Sequence, residues 1–276
     1  MLKQIFILSA LAFSAMISTA AKLENPTIFS ATSANAAKMA SIRMSRGEPQ
    51  KLGNGVVQSF VSLDACRNPV SIGVTFTKAA LSGLPKISQE YALSPPSAAS
   101  ASAFQYVLIT WNPQGHQPTG IYDVPHFDFH FYSLSPTERQ QIKAIGDDRI
   151  KALKLPLPAF IPPDYIPEPT PPAPGEGRHW IDTRSPEFRG QPFGKTFIYG
   201  TYDGEIIFAE PMLTKDLLET HPNTREAISL PAAYAKSAYY PTHYGINYDR
   251  TQQVYSVSLD GLTFRSQSLL HDHHKR

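Results

Sequence analysis

Residues 126–132 read His126-Phe127-Asp128-Phe129-His130-Phe131-Tyr132, and two incompatible chemistries alternate through them. A β-strand sends successive side chains to opposite faces, so the phenylalanines share one side and His126, Asp128, His130 and Tyr132 share the other. The aromatic side suits a packed core. The imidazole, carboxylate, imidazole side suits a metal ion or a proton-transfer site, because such groups are the common donors to borderline divalent ions.

Spacing limits how these residues can act together. Positions two apart on one strand face have Cα atoms roughly 6.6 Å apart, and positions four apart roughly 13 Å. Donors must converge to about 2.0–2.2 Å from an ion. His126 with Asp128, or Asp128 with His130, can share one ion, whereas all three together need a bulge or strong twist. Further ligands must come from distant segments. The nominees are His116 in the tight Gly115-His116-Gln117-Pro118 loop, His179 in Arg178-His179-Trp180-Ile181-Asp182, Glu210 just before Pro211, and His243. The leading set is His126, His130 and His179 around a divalent ion, with His116 as a further ligand and Asp128 as ligand or orienting partner. Glu210 is assigned as fourth ligand or general base, placed at a sheet rim where Pro211 stops its strand. Without thiolates, the set suits zinc, manganese, iron or nickel and does not choose among them.

Plainer roles fit other residues. Asp182 and Asp203 suit turns or caps, and Trp111 and Trp180 suit core or pocket walls. His271-Asp272-His273-His274 reads as a polar tail. Several sharper motifs are absent. There is no His-Glu-x-x-His helix, no Gly-x-Ser-x-Gly elbow, no phosphate loop and no dinucleotide fingerprint.

The elements that must position these residues are mostly short strands. Residues 56–63 and 70–76 read as a hairpin, and 104–111 is a strand rich in branched and aromatic residues. Asp203-Gly204 marks a tight hairpin between 196–199 and 205–209, and 244–248 with 253–259 form a closing hairpin. Ser135-Pro136-Thr137-Glu138 carries a capping box and predicts a helix to about residue 151, and a second short helix is expected within 211–220. Residues 155–174 contain nine prolines and are too apolar for a solvated linker, so they predict a covering arm. Repeated hairpins with one or two short helices predict a mainly-β fold, an antiparallel barrel or sandwich.

The chain divides into residues 1–36, a signal peptide and stub, then 37–265, one mainly-β domain, then a tail over 266–276. Lys3 precedes an uncharged apolar run and small residues, the layout of a secretory signal, so the mature chain is expected to start between about residues 22 and 37 in the periplasm or outside the cell. No later run is apolar enough to span a membrane. Formal charge is +2, which argues against nucleic acid or anionic membrane as partners. Cys66 is the only cysteine, so no internal disulfide forms, and it reads as a small buried residue.

Three segments together carry a resemblance: Trp111-Asn112-Pro113-Gln114-Gly115-His116, then Tyr122 with 125–132, then His179-Trp180-Ile181-Asp182 with Phe197-Ile198-Tyr199-Gly200 and Glu210-Pro211-Met212. Over residues 41–265 the chain resembles the TTHB-like domain family of exported bacterial proteins. The resemblance implies one mainly-β domain behind a signal peptide and brings no activity with it. The residues themselves support metal-activated water acting on a small-molecule ligand, with Asp128 or Glu210 managing the proton. Two other classes compete. One is a non-catalytic metal or small-molecule binder of the envelope. The other is a self-assembling homo-oligomer whose Tyr239, Tyr240, Tyr244, Tyr248 and Tyr255 and apolar arm cover a neighbour.

Overall fold

Turn chemistry and period-two alternation build the whole architecture. The computed structural model describes residues 42–268; the expected signal peptide, stub and end of the His-rich tail lie outside the described residues. In chain order come β1 (Arg43–Arg46), β2 (Gln50–Leu52), β3 (Gly55–Leu63) and β4 (Pro69–Thr77), then β5 (Gln89–Leu93), β6 (Tyr106–Asn112) and β7 (His126–Tyr132). They are followed by β8 (Tyr165–Pro167), β9 (Arg178–Asp182), β10 (Lys195–Tyr202), β11 (Glu205–Thr214) and β12 (Asn223–Ala227). The chain closes with β13 (Ala238–Tyr240), β14 (His243–Asp249), β15 (Val254–Asp260) and β16 (Thr263–Arg265). One open sheet has the order β1-β3-β4-β15-β14-β12, with β2 added on β3. The second has the order β5-β6-β7-β11-β10-β9-β8, and β13 with β16 form a small third sheet. The expected choice between barrel and sandwich resolves as sandwich-like, since each main sheet ends in edge strands and does not close on itself.

All seven residues of β7 are buried. Phe127, Phe129 and Phe131 join the core shared by both main sheets, together with Val74, Phe76 and Val257. The Phe76 ring lies 6.5 Å from Phe127 and 6.2 Å from Phe129, within the range of favourable aromatic packing. The first sheet therefore covers the phenylalanine side of β7. The opposite side is free to carry polar chemistry, provided loops cover it.

The proline-rich segment supplies part of that cover. Tyr165 is buried and donates its hydroxyl to the Phe197 carbonyl at 2.8 Å, and the Ala159 carbonyl accepts from the Ala233 amide at 2.7 Å. Within the arm only β8 pairs as a strand, on the sheet edge, where missing N–H groups cost least. Leu155, Leu157 and Ile166 stay exposed, but the arm packs on its own chain. Tyr244 and Tyr255 are buried rather than offered to a neighbour. Among the described residues, no helix is long and apolar enough to cross a membrane.

Four local expectations need correction. The helix begun by the Ser135–Glu138 capping box, α1 (Pro136–Gln141), does not reach residue 151. Ala144 and Gly146 take positive φ (57° and 56°), and α2 (Asp148–Leu153) starts afresh, so Ile145 and Ile150 are exposed. The Asp148 carboxylate holds the break by accepting from the Lys143 and Ala144 amides, each at 2.8 Å. Secondly, Pro211 does not stop the strand before it. β11 continues to Thr214, held on both sides by β7 and β10, and α3 (Lys215–Glu219) follows with Thr214 as its cap. Glu210 is thus in mid-strand and buried, not at a sheet rim. Finally, Cys66 is exposed, because it sits in the tight turn joining β3 to β4, where Arg67 has φ of 65°. His243 opens β14 in the other sheet and bonds Thr242 instead of joining the candidate site.

Candidate functional site

The polar side of β7 meets matching positions on its neighbours. Asn112 of β6 pairs with His126, and Thr110 pairs with Asp128. On β11, Met212 pairs with Asp128 and Thr214 with His126. The pairing with β7 is interrupted between Ala209–Phe131 and Met212–Asp128, where Pro211 lacks an N–H, and the register on either side sets Glu210 opposite His130. His179 enters from β9, where it pairs with Gly200 of β10. A hollow of about 440 Å³ opens over this face, rimmed by His116, Glu168, Thr170, Glu176 and His179.

The nominated residues form two groups rather than one. His116, His126 and Asp128 bring one donor atom each within 4.8 Å of one another, and so do His130, His179 and Glu210. The expected trio of His126, His130 and His179 is therefore split, as the length of an extended strand dictates: β7 delivers His126 and His130 to neighbouring stations. Asp128 sides with His126 and Glu210 with His130.

In the first group, His126 Nε2 lies 3.1 Å from Asp128 Oδ1 and His116 Nε2 lies 3.4 Å from Asp128 Oδ2. Both imidazoles direct Nδ1 to a main-chain carbonyl, His126 to Val124 at 2.7 Å and His116 to Gln117 at 2.6 Å. A carbonyl only accepts, so Nδ1 carries the proton in each, and in the neutral rings Nε2 is a bare lone pair. Asn112 Nδ2 donates to Asp128 Oδ2 at 2.6 Å and orients the carboxylate. His126 Nε2 and Asp128 Oδ1 are buried without a hydrogen-bond partner, although they face each other. Burial alone would raise Asp128, but hydrogen bonds and charge from the imidazoles of His116 and His126 in protonated form hold its carboxyl well below the usual range, and Asp128 in turn raises His116 against the effect of burial.

His116 owes its position to a tight loop. Gly115 has φ of 69°, and a Cβ there would lie 2.0 Å from the Tyr122 carbonyl oxygen. The His116 amide donates to that carbonyl at 3.1 Å, closing the loop over the strand. The His116 ring then sits edge-on to His126, with centroids 4.7 Å apart.

In the second group, His130 Nε2 lies 3.3 Å from Glu210 Oε1 and 3.9 Å from Glu176 Oε1. His179 Nε2 lies 3.4 Å from Glu176 Oε2, and its Nδ1 lies 3.6 Å from Glu168 Oε2. Glu168 in turn accepts from the Thr170 hydroxyl, so a carboxylate backs the imidazole as in many metal-ligating histidines. His130 Nδ1 and Glu210 Oε2 are buried with no hydrogen-bond partner. Burial, reinforced by the Asp128 charge, raises Glu210 well above the carboxylate range, and burial lowers His130. Without an ion, burial favours the uncharged form of both. Phe208 packs its ring 4.8 Å from His130 and 5.7 Å from His179. A glycine at 200 permits that, since a Cβ there would come within 2.0 Å of the Phe208 ring.

No family model, curated protein or solved structure matches this chain.

Sequence reasoning found six of the residues and missed Asn112, Glu168 and Glu176. Glu176 had a signal: an acid framed by Gly175 and Gly177, three positions before His179. Glu168 lies between two prolines in an arm whose apolar residues predict only a cover. Asp182 does serve a turn, accepting from the Arg184 amide at 2.8 Å, and Asp203 takes φ of 51° in the β10–β11 turn. Trp111 and Trp180 belong to the core. A larger hollow of about 670 Å³, lined by Phe104, Leu155, Phe160, Tyr199 and Tyr234 among others, has no imidazole among its described lining residues.

Proposed function

We propose that the hollow over β7 is a divalent-metal centre, with His116, His126 and Asp128 holding an ion, in an exported metal-dependent hydrolase or lyase acting on a small molecule. One observation carries this reading: two imidazoles fixed with Nδ1 protonated aim Nε2 at opposite oxygens of one carboxylate. A lone pair facing a carboxylate is repelled unless a proton or a metal cation lies between them. A cation shared by the three satisfies the buried Nε2 and Oδ1 atoms that otherwise lack partners. Donors about 2.1 Å from one ion stand about 3.0–3.5 Å apart, and the observed separations of 3.1 and 3.4 Å fit that spacing.

A divalent ion there supplies Lewis acidity and brings the acidity of a coordinated water toward neutral pH. The chain's own residues do the rest. Asn112 fixes Asp128, and Val124 and Gln117 fix the imidazole tautomers. Glu176, partly exposed at the rim, is placed to take or return a proton. A hollow of about 440 Å³ has the size of small-ligand sites. The amino-terminal charge and apolar pattern supports export.

Metal analysis of the purified protein tests this reading. Wild-type protein prepared without chelator should carry zinc, manganese, iron or nickel in stoichiometric amount, and His116→Ala should lose one equivalent of it while staying folded. Chelator-sensitive hydrolysis of generic p-nitrophenyl esters or phosphates would add turnover. A wild-type protein that neither retains nor takes up any of the four metals ends the reading. The near-complete burial of His126 favours a second reading, an enclosed ion in a binding protein without turnover. Water proton relaxivity of the manganese-loaded protein separates the two, because an enclosed ion has no exchanging water.

A further inference from the structure

We infer that the same hollow takes a second divalent ion, held by His130, His179 and Glu210 with Glu176 beside them. This rests on the reading of the hollow as a metal centre, and adds that one ion does not complete it. The donors of this group lie within 4.8 Å of one another, and they form a set distinct from His116, His126 and Asp128. Separations of 3.3 Å from His130 to Glu210 and 3.4 Å from His179 to Glu176 match ligands around one ion. His179 is backed at Nδ1 by Glu168, which leaves Nε2 facing the hollow.

A purely structural network does not account for the arrangement. Glu210 and His130 are each 2% exposed, and Glu210 leaves Oε2 with no partner beside the Oε1 that faces His130 Nε2. Leaving a buried polar atom unpaired costs about 1–3 kcal/mol, so such atoms in a built pocket call for a ligand. The charge agrees. Glu90, Asp128, Glu168, Glu176 and Glu210 line the hollow, Glu90 being paired with Arg139, and no lysine or arginine is among its described lining residues. An acidic lining without a lysine or arginine favours cations in the hollow. Asp128 and His130 are two residues apart on one strand face, so the two stations are neighbours within one chamber. Paired ions of this kind clamp an oxygen-rich substrate group from both sides.

Counting ions settles the matter. Chelator-stripped full-length protein is titrated with zinc chloride alone, and bound metal is measured after gel filtration for wild type, His116→Ala and His179→Ala. These two side chains lie at the rim, so their loss spares the core, and circular dichroism checks each fold. The expected result is two equivalents for wild type and one for each variant. One equivalent in wild type, lost with His116→Ala and kept with His179→Ala, overturns the second ion and leaves the first reading standing. One equivalent lost only with His179→Ala overturns both assignments, as does no bound zinc at all. Glu210→Gln, which keeps the side-chain shape, provides an independent check and should also reduce binding to one equivalent.

Discussion

Glu210 stands across the β7–β11 pair from His130, its Oε1 3.3 Å from the imidazole Nε2, with both residues removed from solvent. When no ion is present, burial favours the uncharged form of both the carboxyl and the ring. That makes Glu210→Gln a discriminating substitution. In chelator-stripped protein it should alter unfolding stability by less than about 1 kcal/mol, since a neutral amide replaces a neutral acid. Metal affinity at the second station should fall by at least about tenfold, because the anionic donor is gone. Thermal unfolding of the stripped protein and a metal titration measure the two effects, and a large loss of stripped-state stability would contradict the neutral pair.

Asn112 reaches Asp128 Oδ2 at 2.6 Å from the neighbouring strand. Its loss in Asn112→Ala leaves the carboxylate free to turn and removes a bond to a charged acceptor, worth about 1.5–3 kcal/mol. Metal affinity at the first station should drop about 10–100-fold while the donors themselves stay intact. Unchanged affinity would show that Asp128 needs no orienting partner.

The Glu168, Glu176 and His179 cluster sets a pH signature for stripped protein. Burial would lower the His179 imidazole, but Glu168 and Glu176 overcome it and raise it well above the ordinary 6.5. Burial would raise Glu176, but His179 and His130 bring it down from 4.5 to about 2. The stabilisation from a raised imidazole is complete below pH 6.5 and fades as pH rises through the folded value. That from a lowered carboxyl is complete above 4.5 and fades as pH falls through about 2. The stripped protein should therefore gain most from this cluster between about pH 4.5 and 6.5 and lose stability on the alkaline side. Metal replaces the proton on His179, so the loaded protein should lack the alkaline decline. Melting temperatures from pH 4 to 9, with and without zinc, check this; a stripped protein that stiffens steadily above pH 6.5 would be inconsistent with the cluster.

Gly200→Ala drives a methyl group into the Phe208 ring, which would lie 2.0 Å away. Overpacking of this sort costs about 1–3 kcal/mol, and here the displaced ring is the one against His130 and His179. Both stability and metal binding at the second station should suffer, with the first station less affected. Equal losses at both stations would point to general unfolding, which circular dichroism would reveal.

By itself the sequence determined that β7 has an aromatic side and an ionisable side, because strand geometry has a strict period of two. It also determined the Asp203-Gly204 turn and the Ser135–Glu138 cap, since both depend on residues within four positions of each other. The loss of helix after Gln141 was less visible, as Ile142, Ile145 and Ile150 mimic a helical stripe although Ala144 and Gly146 bend the backbone away.

Only the tertiary structure decided how the donors group. The order β6-β7-β11-β10-β9 brings Asn112, Glu210 and His179 to β7, and the loop at Gly115 brings His116. Local pattern cannot reveal such partners, because strand order and register are set by which faces bury the most apolar surface across the whole chain. The same global packing carries β11 straight through Pro211 and makes a buried partner of Glu210. It also folds Glu168 and Glu176 down over the site.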